Sequence, residues 1–246
     1  MKPLSLVRST AILCAVLLLS WQVLYIVVGD VALRSPLQTF AFTATFVATP
    51  QFVGHATETF QAFALALAIA VAAGLAAGLA LGASRLLGDV LEPVLAAFYA
   101  IPKITLYPIL LLAFGLGMAS KVAFGAIHGV IPVALFTLSA VRKVRPVWVK
   151  SARIMALGAV DTTVRVLVPA ALPEIFSGLR IGFSLTLIGT LLGEMFASQR
   201  GLGFLLMNAI GLHNVDLIMA LTLMLSVVAG AASVALLALE RRLERR

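Results

Sequence analysis

Six apolar stretches set the terms on which this chain can fold. An α-helix needs about 20 apolar residues to cross about 30 Å of hydrocarbon. Residues 10–28, 60–82, 91–116, 122–140, 174–197 and 217–239 each meet that length. Composition points the same way. The 246 residues are 62% hydrophobic and 11% charged, whereas soluble chains run at about 45–50% apolar and about 25% charged. Too few charges are present to cover a soluble core, so lipid is the expected solvent and an all-α polytopic membrane protein the expected fold.

The formal charge of +8 does not suggest a nucleic-acid partner. The basic residues sit at the ends of apolar runs rather than on one continuous face. A single cysteine, Cys14, excludes an internal disulfide and a cysteine metal site. His55, His128 and His213 are scattered without metal-ligand spacing, so no metal is expected. The first apolar run follows Lys2 and Arg8 and exceeds the roughly 7–15 residues of a signal-peptide core. It reads as a retained helix.

Lysine and arginine cross membranes poorly, and their excess marks the cytoplasmic side. Placing the N-terminus inside gathers Lys2, Arg8, Arg85, Arg142, Lys143, Arg145, Lys150, Arg153, Arg165 and Arg180 there, with the basic tail 240–246. The outer side keeps Arg34, Lys121 and Arg200. Both termini are therefore expected in the cytoplasm. Residues 1–58 form a first helix and an external segment. In that segment Pro36 and Pro50 bracket a stretch suited to a helix at the interface. Residues 59–246 form a five-helix core with an inner loop at about 141–173.

That loop predicts two short helices. Pro146 suits a first helical turn, and residues 147–157 follow as one helix. Gly158 suits a left-handed stop, and Asp161 a cap for a second helix over 162–168. Ser151, Ala152, Ala156 and Ala159 form a small-residue face. Ile154, Met155 and Leu157 are apolar, and Lys150 and Arg153 are charged. Such a unit either plugs into a partner's groove or lies on lipid headgroups.

Polar groups at membrane depth are functional suspects by default. Lys103, between Pro102 and Pro108 and near Tyr107, either meets an anionic substrate, snorkels, or pairs with a carboxylate such as Glu92. Glu194 either gates a cavity or pairs with Arg200, and the pairing is favoured. Ser184, Thr186 and Thr190 either line a path or bond their own backbone. Gly74, Gly78 and Gly82 recur every four residues and allow close helix crossing, within one chain or between two copies.

Several motifs resemble the permease subunits of binding-protein-dependent ABC importers, in their nitrate/sulfonate/taurine branch. The family's cytoplasmic signature reads Glu-Ala-Ala, three residues, Gly, nine residues, Ile, one residue, Leu-Pro. Set on Pro169, it places Val168 at Leu, Val166 at Ile, Ala156 at Gly and Lys150-Ser151-Ala152 at Glu-Ala-Ala. Spacing is kept, while Ala152 and Pro169 alone match the strict letters and Lys150 reverses a charge. Pro102-Lys103-Ile104-Thr105-Leu106-Tyr107-Pro108, Phe114-Gly115-Leu116-Gly117, Gly178-Leu179-Arg180, Gly193-Glu194-Met195 and Gly201-Leu202-Gly203 also resemble that branch.

The resemblance implies a type I importer permease in a bacterial plasma (inner) membrane, working as a homodimer. A cytoplasmic ABC ATPase dimer would seat on a coupling segment drawn from Lys150, Ser151, Ala152, Arg153, Ala156, Leu157 and Gly158. A solute-binding protein would dock outside. No phosphate-binding loop of the form GxxxxGK[ST] occurs. ATP and Mg are therefore expected on the partner ATPase, with no cofactor and no catalytic residue in this chain. A stand-alone secondary transporter is the alternative. It would need coupling-ion sites, for which Lys103 and Glu194 are sparse material.

Overall fold

A computed structural model describes residues 3–244; Lys2, Arg245 and Arg246 lie outside the described residues. Every element there is helical. Five helices are long and apolar enough to cross a membrane, and a bent pair makes a sixth if it counts as one span. The helices are α1 (Pro3–Val28), α2 (Pro36–Phe46), α3 (Pro50–Ala83), α4 (Arg85–Ala100), α5 (Tyr107–Phe114) and α6 (Met118–Arg142). After them come α7 (Pro146–Ile154), α8 (Ala159–Thr162), α9 (Val168–Ala197), α10 (Leu202–Gly211) and α11 (Val215–Glu244).

The centre is a slab of α3, α6 and α9. On α3 a small residue recurs every fourth position: Ala62, Ala66, Ala70, Gly74, Gly78 and Gly82, all buried or nearly so. They meet α6 in constant register. Ala66 faces Gly125, Ala70 faces Gly129, Gly74 faces Val133, Gly78 faces Thr137, and Gly82 faces Val141. The glycine spacing read from the sequence thus serves a contact inside one chain. From the other side α9 runs antiparallel and sets Thr190 against Gly125, Thr186 against Gly129, and Gly182 against Val133. Lipid supplies no hydrophobic drive between helices, so close backbone approach through small residues is what holds such a slab.

The expected third span, 91–116, is broken. Helix α4 ends at Ala100, Pro102 has ψ 93°, and a 3-10 turn over Lys103–Leu106 leads into α5. The two halves meet at 88°, because Pro102 and Pro108 remove two backbone donors within seven residues. In the inner loop the expectation of two short helices is corrected. Helix α7 stops at Ile154, and Ala156, not Gly158, is left-handed (φ 54°). The N–H groups of Ala156 and Leu157 bond the carbonyls of Arg153 and Ala152, both at 3.0 Å, which is a Schellman closure. Gly158 is extended at φ −64°. Asp161 caps nothing; it pairs with Arg165 at 3.0 Å. From Ala159 the chain runs through a π-helical stretch, Thr163–Leu167, straight into α9, so the second short helix is the root of the fifth span.

The segment expected outside forms α2, opened by a capping box in which Ser35 and Gln38 exchange side-chain and backbone bonds of 3.2 and 2.8 Å. Its Phe46 packs with Leu202, Leu205 and Leu221. Helix α1 is peripheral, its spanning stretch unburied within the chain. It is tied by Trp21 Nε1 donating to the Arg34 carbonyl at 2.9 Å. Arg34 in turn holds Asp216 through bonds of 2.6 and 3.0 Å.

Candidate functional site

Three constellations carry chemistry, one at each end of the slab and one beside it. At the end away from α7, Glu194 is wholly enclosed. Arg200 is not its partner, contrary to expectation. The carboxylate accepts from the Thr59 hydroxyl at 2.8 and 3.0 Å and from the Gly203 N–H at 3.0 Å. Leu202 N–H donates to Thr59 Oγ1 at 2.8 Å, and Gly201 N–H to His55 Nδ1 at 3.0 Å. Side chains of α3 and α9 therefore satisfy the opening N–H groups of α10, which have no partner within their own helix. A carboxylate also complements the positive end of the helix dipole. The two glycines are required: Gly201 has φ 119°, and a Cβ on it would overlap the Glu194 carboxylate, while one on Gly203 would meet the Leu191 carbonyl and Glu194. Two motifs separate in sequence are thus one structure.

Lys121, expected as an outer-side basic residue, is 1% exposed and bound into the same cluster. Its Nζ lies 2.9 Å from Glu58 Oε1 and 3.7 Å from Glu194 Oε1, and donates to the Arg200 carbonyl at 3.2 Å. Sequence reasoning missed this partnership. The one available signal was a lysine and two glutamates all near outer helix ends.

Beside the slab, Lys103 is buried at the elbow between α4 and α5. Its Nζ donates to the Tyr99 carbonyl at 3.1 Å and lies 5.3 Å from the Tyr99 ring centroid. Glu92, weighed as its partner, instead holds Arg142 at 2.6 Å. Tyr107 is buried, donates to the Gly193 carbonyl at 2.5 Å and rests on Phe124. Thr186 and Thr190 are enclosed between helices, with Thr190 bonding the Thr186 carbonyl at 2.9 Å. Ser184 is half-buried and bonds the Arg180 carbonyl at 3.3 Å.

At the basic end, α7 packs on the π-helical stretch and, through Val149, against a cluster shared by the ends of α6 and α9. Ala152 is 2% exposed, and Val149 of the same helix packs against Ala140, Val141, Leu167, Ala171 and Ile175 of that cluster. Ile154 and Met155 project outward at 85% and 73% exposure. Ser151, Arg153, Ala156 and Gly158 are exposed, as is Lys150, while Leu157 is half-buried. Lys150 and Arg153 also line a cleft of about 480 Å³ with Arg85, Arg142 and Pro146. The outward surface is therefore the apolar tip, and the small residue at 152 is what lets α7 sit close. Arg142 ties α6 to Asp89 and Glu92 of α4, and Lys143 pairs with Glu174 of α9.

Residues 70–246 match the model of the binding-protein-dependent transport system inner membrane component family. The chain belongs to this family. The chain is 37% identical over 142 residues to a probable ABC transporter permease protein of Haemophilus influenzae, covering 58% of each chain. It is 30% identical over 154 residues to the taurine transport system permease protein TauC of Escherichia coli, covering 63% of this chain and 56% of that one. The chain thus spans somewhat over half the length of those relatives. A chain of the MetNI methionine ABC transporter, solved in inward-facing conformations, superposes with a TM-score of 0.68 at 15% identity, over 80% of this chain and 99% of that one. That likeness concerns the fold alone.

Proposed function

We propose that this family member is the path-forming permease of an ATP-driven importer, carrying a small anionic solute from an extracytoplasmic binding protein. The observation that carries the reading is at the basic end. An apolar tip, Ile154 and Met155, projects at the end of α7, whose Val149 packs against Ala140, Val141 and Leu167, and a turn at 155–158 leads on through α8 and the π-helical stretch to α9. A push on that tip is passed to the membrane slab through the Val149 contact and through the hydrogen-bonded turn at 155–158. In this reading the basic end faces the cytoplasm, an ABC ATPase dimer holding ATP and Mg receives the tip, and a second copy completes the path. Taurine- and sulfonate-like anions are the first substrates to test, after the taurine transport for which the relative TauC is named. Lys103 is the residue assigned to the anion.

Uptake of labelled anion into vesicles, measured with and without a candidate ATPase partner and ATP, tests this. ATP-dependent uptake needing both chains is expected; uptake by this chain alone without ATP refutes it. Ile154→Asp should abolish co-purification of the ATPase while the chain still inserts in the membrane. Undiminished co-purification would remove α7 as the handle.

A further inference from the structure

We propose that the cleft bordered by α3, α4, α6 and α7 holds the phosphate of an anionic phospholipid, which clamps α7 to the slab. The inference needs only that the chain spans a membrane, and stands apart from the solute it carries. The cleft has a volume of about 480 Å³, within the range of about 300–1,000 Å³ usual for ligand sites. Four basic side chains from three elements border it: Arg85 at the start of α4, Arg142 at the end of α6, and Lys150 and Arg153 on α7. Among the described residues no carboxylate lines it.

The acidic residues of this end are committed elsewhere. Asp89 and Glu92 hold Arg142, Glu174 holds Lys143, Asp161 holds Arg165, and Glu240 holds Arg180. Among the described residues none pairs with Arg85, Lys150 or Arg153. Lys150 and Arg153 are three apart on one helix, so they share a face and repel each other. Arg85 opens α4 and Pro146 opens α7, each at the positive end of a helix dipole, with no acidic residue in either first turn. Every one of these features raises the local positive potential, and an anion from outside relieves them together. Arginine forks suit phosphate oxygens, two bonds at a time.

The apolar lining separates a lipid from a soluble phosphate. Gly82 and Ala83 close the α3 span and Val141 comes just before the end of α6, so the cleft opens where hydrocarbon gives way to headgroups. Val144, Val149 and Leu167 add apolar walls. On α4, directly after Arg85, Leu86 and Leu87 are exposed, as is Val90, a track on which an acyl chain can lie. Cations above an apolar wall at the end of two spans match an amphiphile, and basic pockets between spans bind anionic headgroups. A free phosphate gains nothing from those walls. Headgroups line both leaflets, so the assignment holds whichever side the basic end faces.

Native mass spectrometry of the purified full chain, titrated in detergent with phosphatidylglycerol or phosphatidylcholine, tests this. One phosphatidylglycerol should be retained at about tenfold lower concentration than phosphatidylcholine, the size of one charge-assisted hydrogen bond. Arg85→Gln and Arg153→Gln change exposed side chains and should each weaken that retention about tenfold. Arg145→Gln removes the same charge from the same end at an exposed position outside the cleft, and should leave retention nearly unchanged. Equal retention of the two lipids, or an equal loss in Arg145→Gln, overturns the site. Inorganic phosphate in large excess should leave the lipid bound; displacement would give the cleft to a soluble phosphate and overturn the lipid. Amide exchange across residues 150–154 should slow when phosphatidylglycerol binds the unaltered chain and not when it is added to Arg85→Gln. Exchange that does not slow in the unaltered chain overturns the clamp.

Discussion

Gly78→Ala is the sharpest test of the slab. A Cβ at that position would sit 2.5 Å from Thr137 Cβ and 2.6 Å from the Ala134 carbonyl oxygen. Ordinary carbon contacts need about 3.5–4.0 Å. The threonine can turn its γ atoms but not its Cβ, and a helix carbonyl cannot move without its own hydrogen bond. Helix α3 must therefore retreat from α6 by about 1 Å, loosening the neighbouring contacts at Gly74 and Gly82. Overpacking of this kind costs about 1–3 kcal/mol. The same change at Gly230, on α11, meets nothing within 4 Å. There alanine should only gain helix propensity, about 0.5–1 kcal/mol. Unfolding in mixed micelles, titrated with a denaturing detergent, should move in opposite directions for the two variants. Equal effects, or a stabilised Gly78→Ala, would refute the slab as the origin of stability.

Two further predictions use the same assay. Glu194→Ala leaves Lys121 short of a charge partner and the Gly203 N–H buried without an acceptor, and should cost about 3–5 kcal/mol; Glu194→Gln, which can still accept from Gly203 and Thr59, should cost clearly less. Ala156→Gly relieves a left-handed alanine and should stabilise by about 1 kcal/mol, read as slower proteolysis at the α7 end, with no change if the turn is not strained.

Much of this was legible because lipid imposes simple rules. Five of the six expected crossings are single apolar helices, and the third is a pair bent where Pro102 and Pro108 fall. The angle of that break was not legible, since it depends on what α4 and α5 lean against: Arg142 gripping Asp89 and Glu92, and Tyr107 resting on Phe124. The glycine spacing of α3 showed a close approach, but a small-residue face is generic and does not name its partner. Gly158 was the obvious left-handed residue, yet the chain turns at Ala156. The position of the turn is set by where α7 ceases to touch the slab, and its geometry then falls on whichever residue comes next. His213 repeats the lesson: left-handed at φ 53°, it closes α10 while Gly211 remains helical. Glu194 was legible as important and misassigned in role. A local ion pair with Arg200 looked natural in sequence, whereas burial calls for several donors at once, and those came from Thr59, Gly203 and Lys121, which only the fold brings near.

The interlocked register of α3, α6 and α9 limits how this molecule can change shape. Small steps of one helix along another would drive a side chain into a glycine seat built for a different residue. The next position of equal fit is a full four-residue repeat away, about 6 Å. Any opening or closing must then swing those three as a single plank, with the bending borne by the thin pieces around it, above all the kinked corner that carries Lys103.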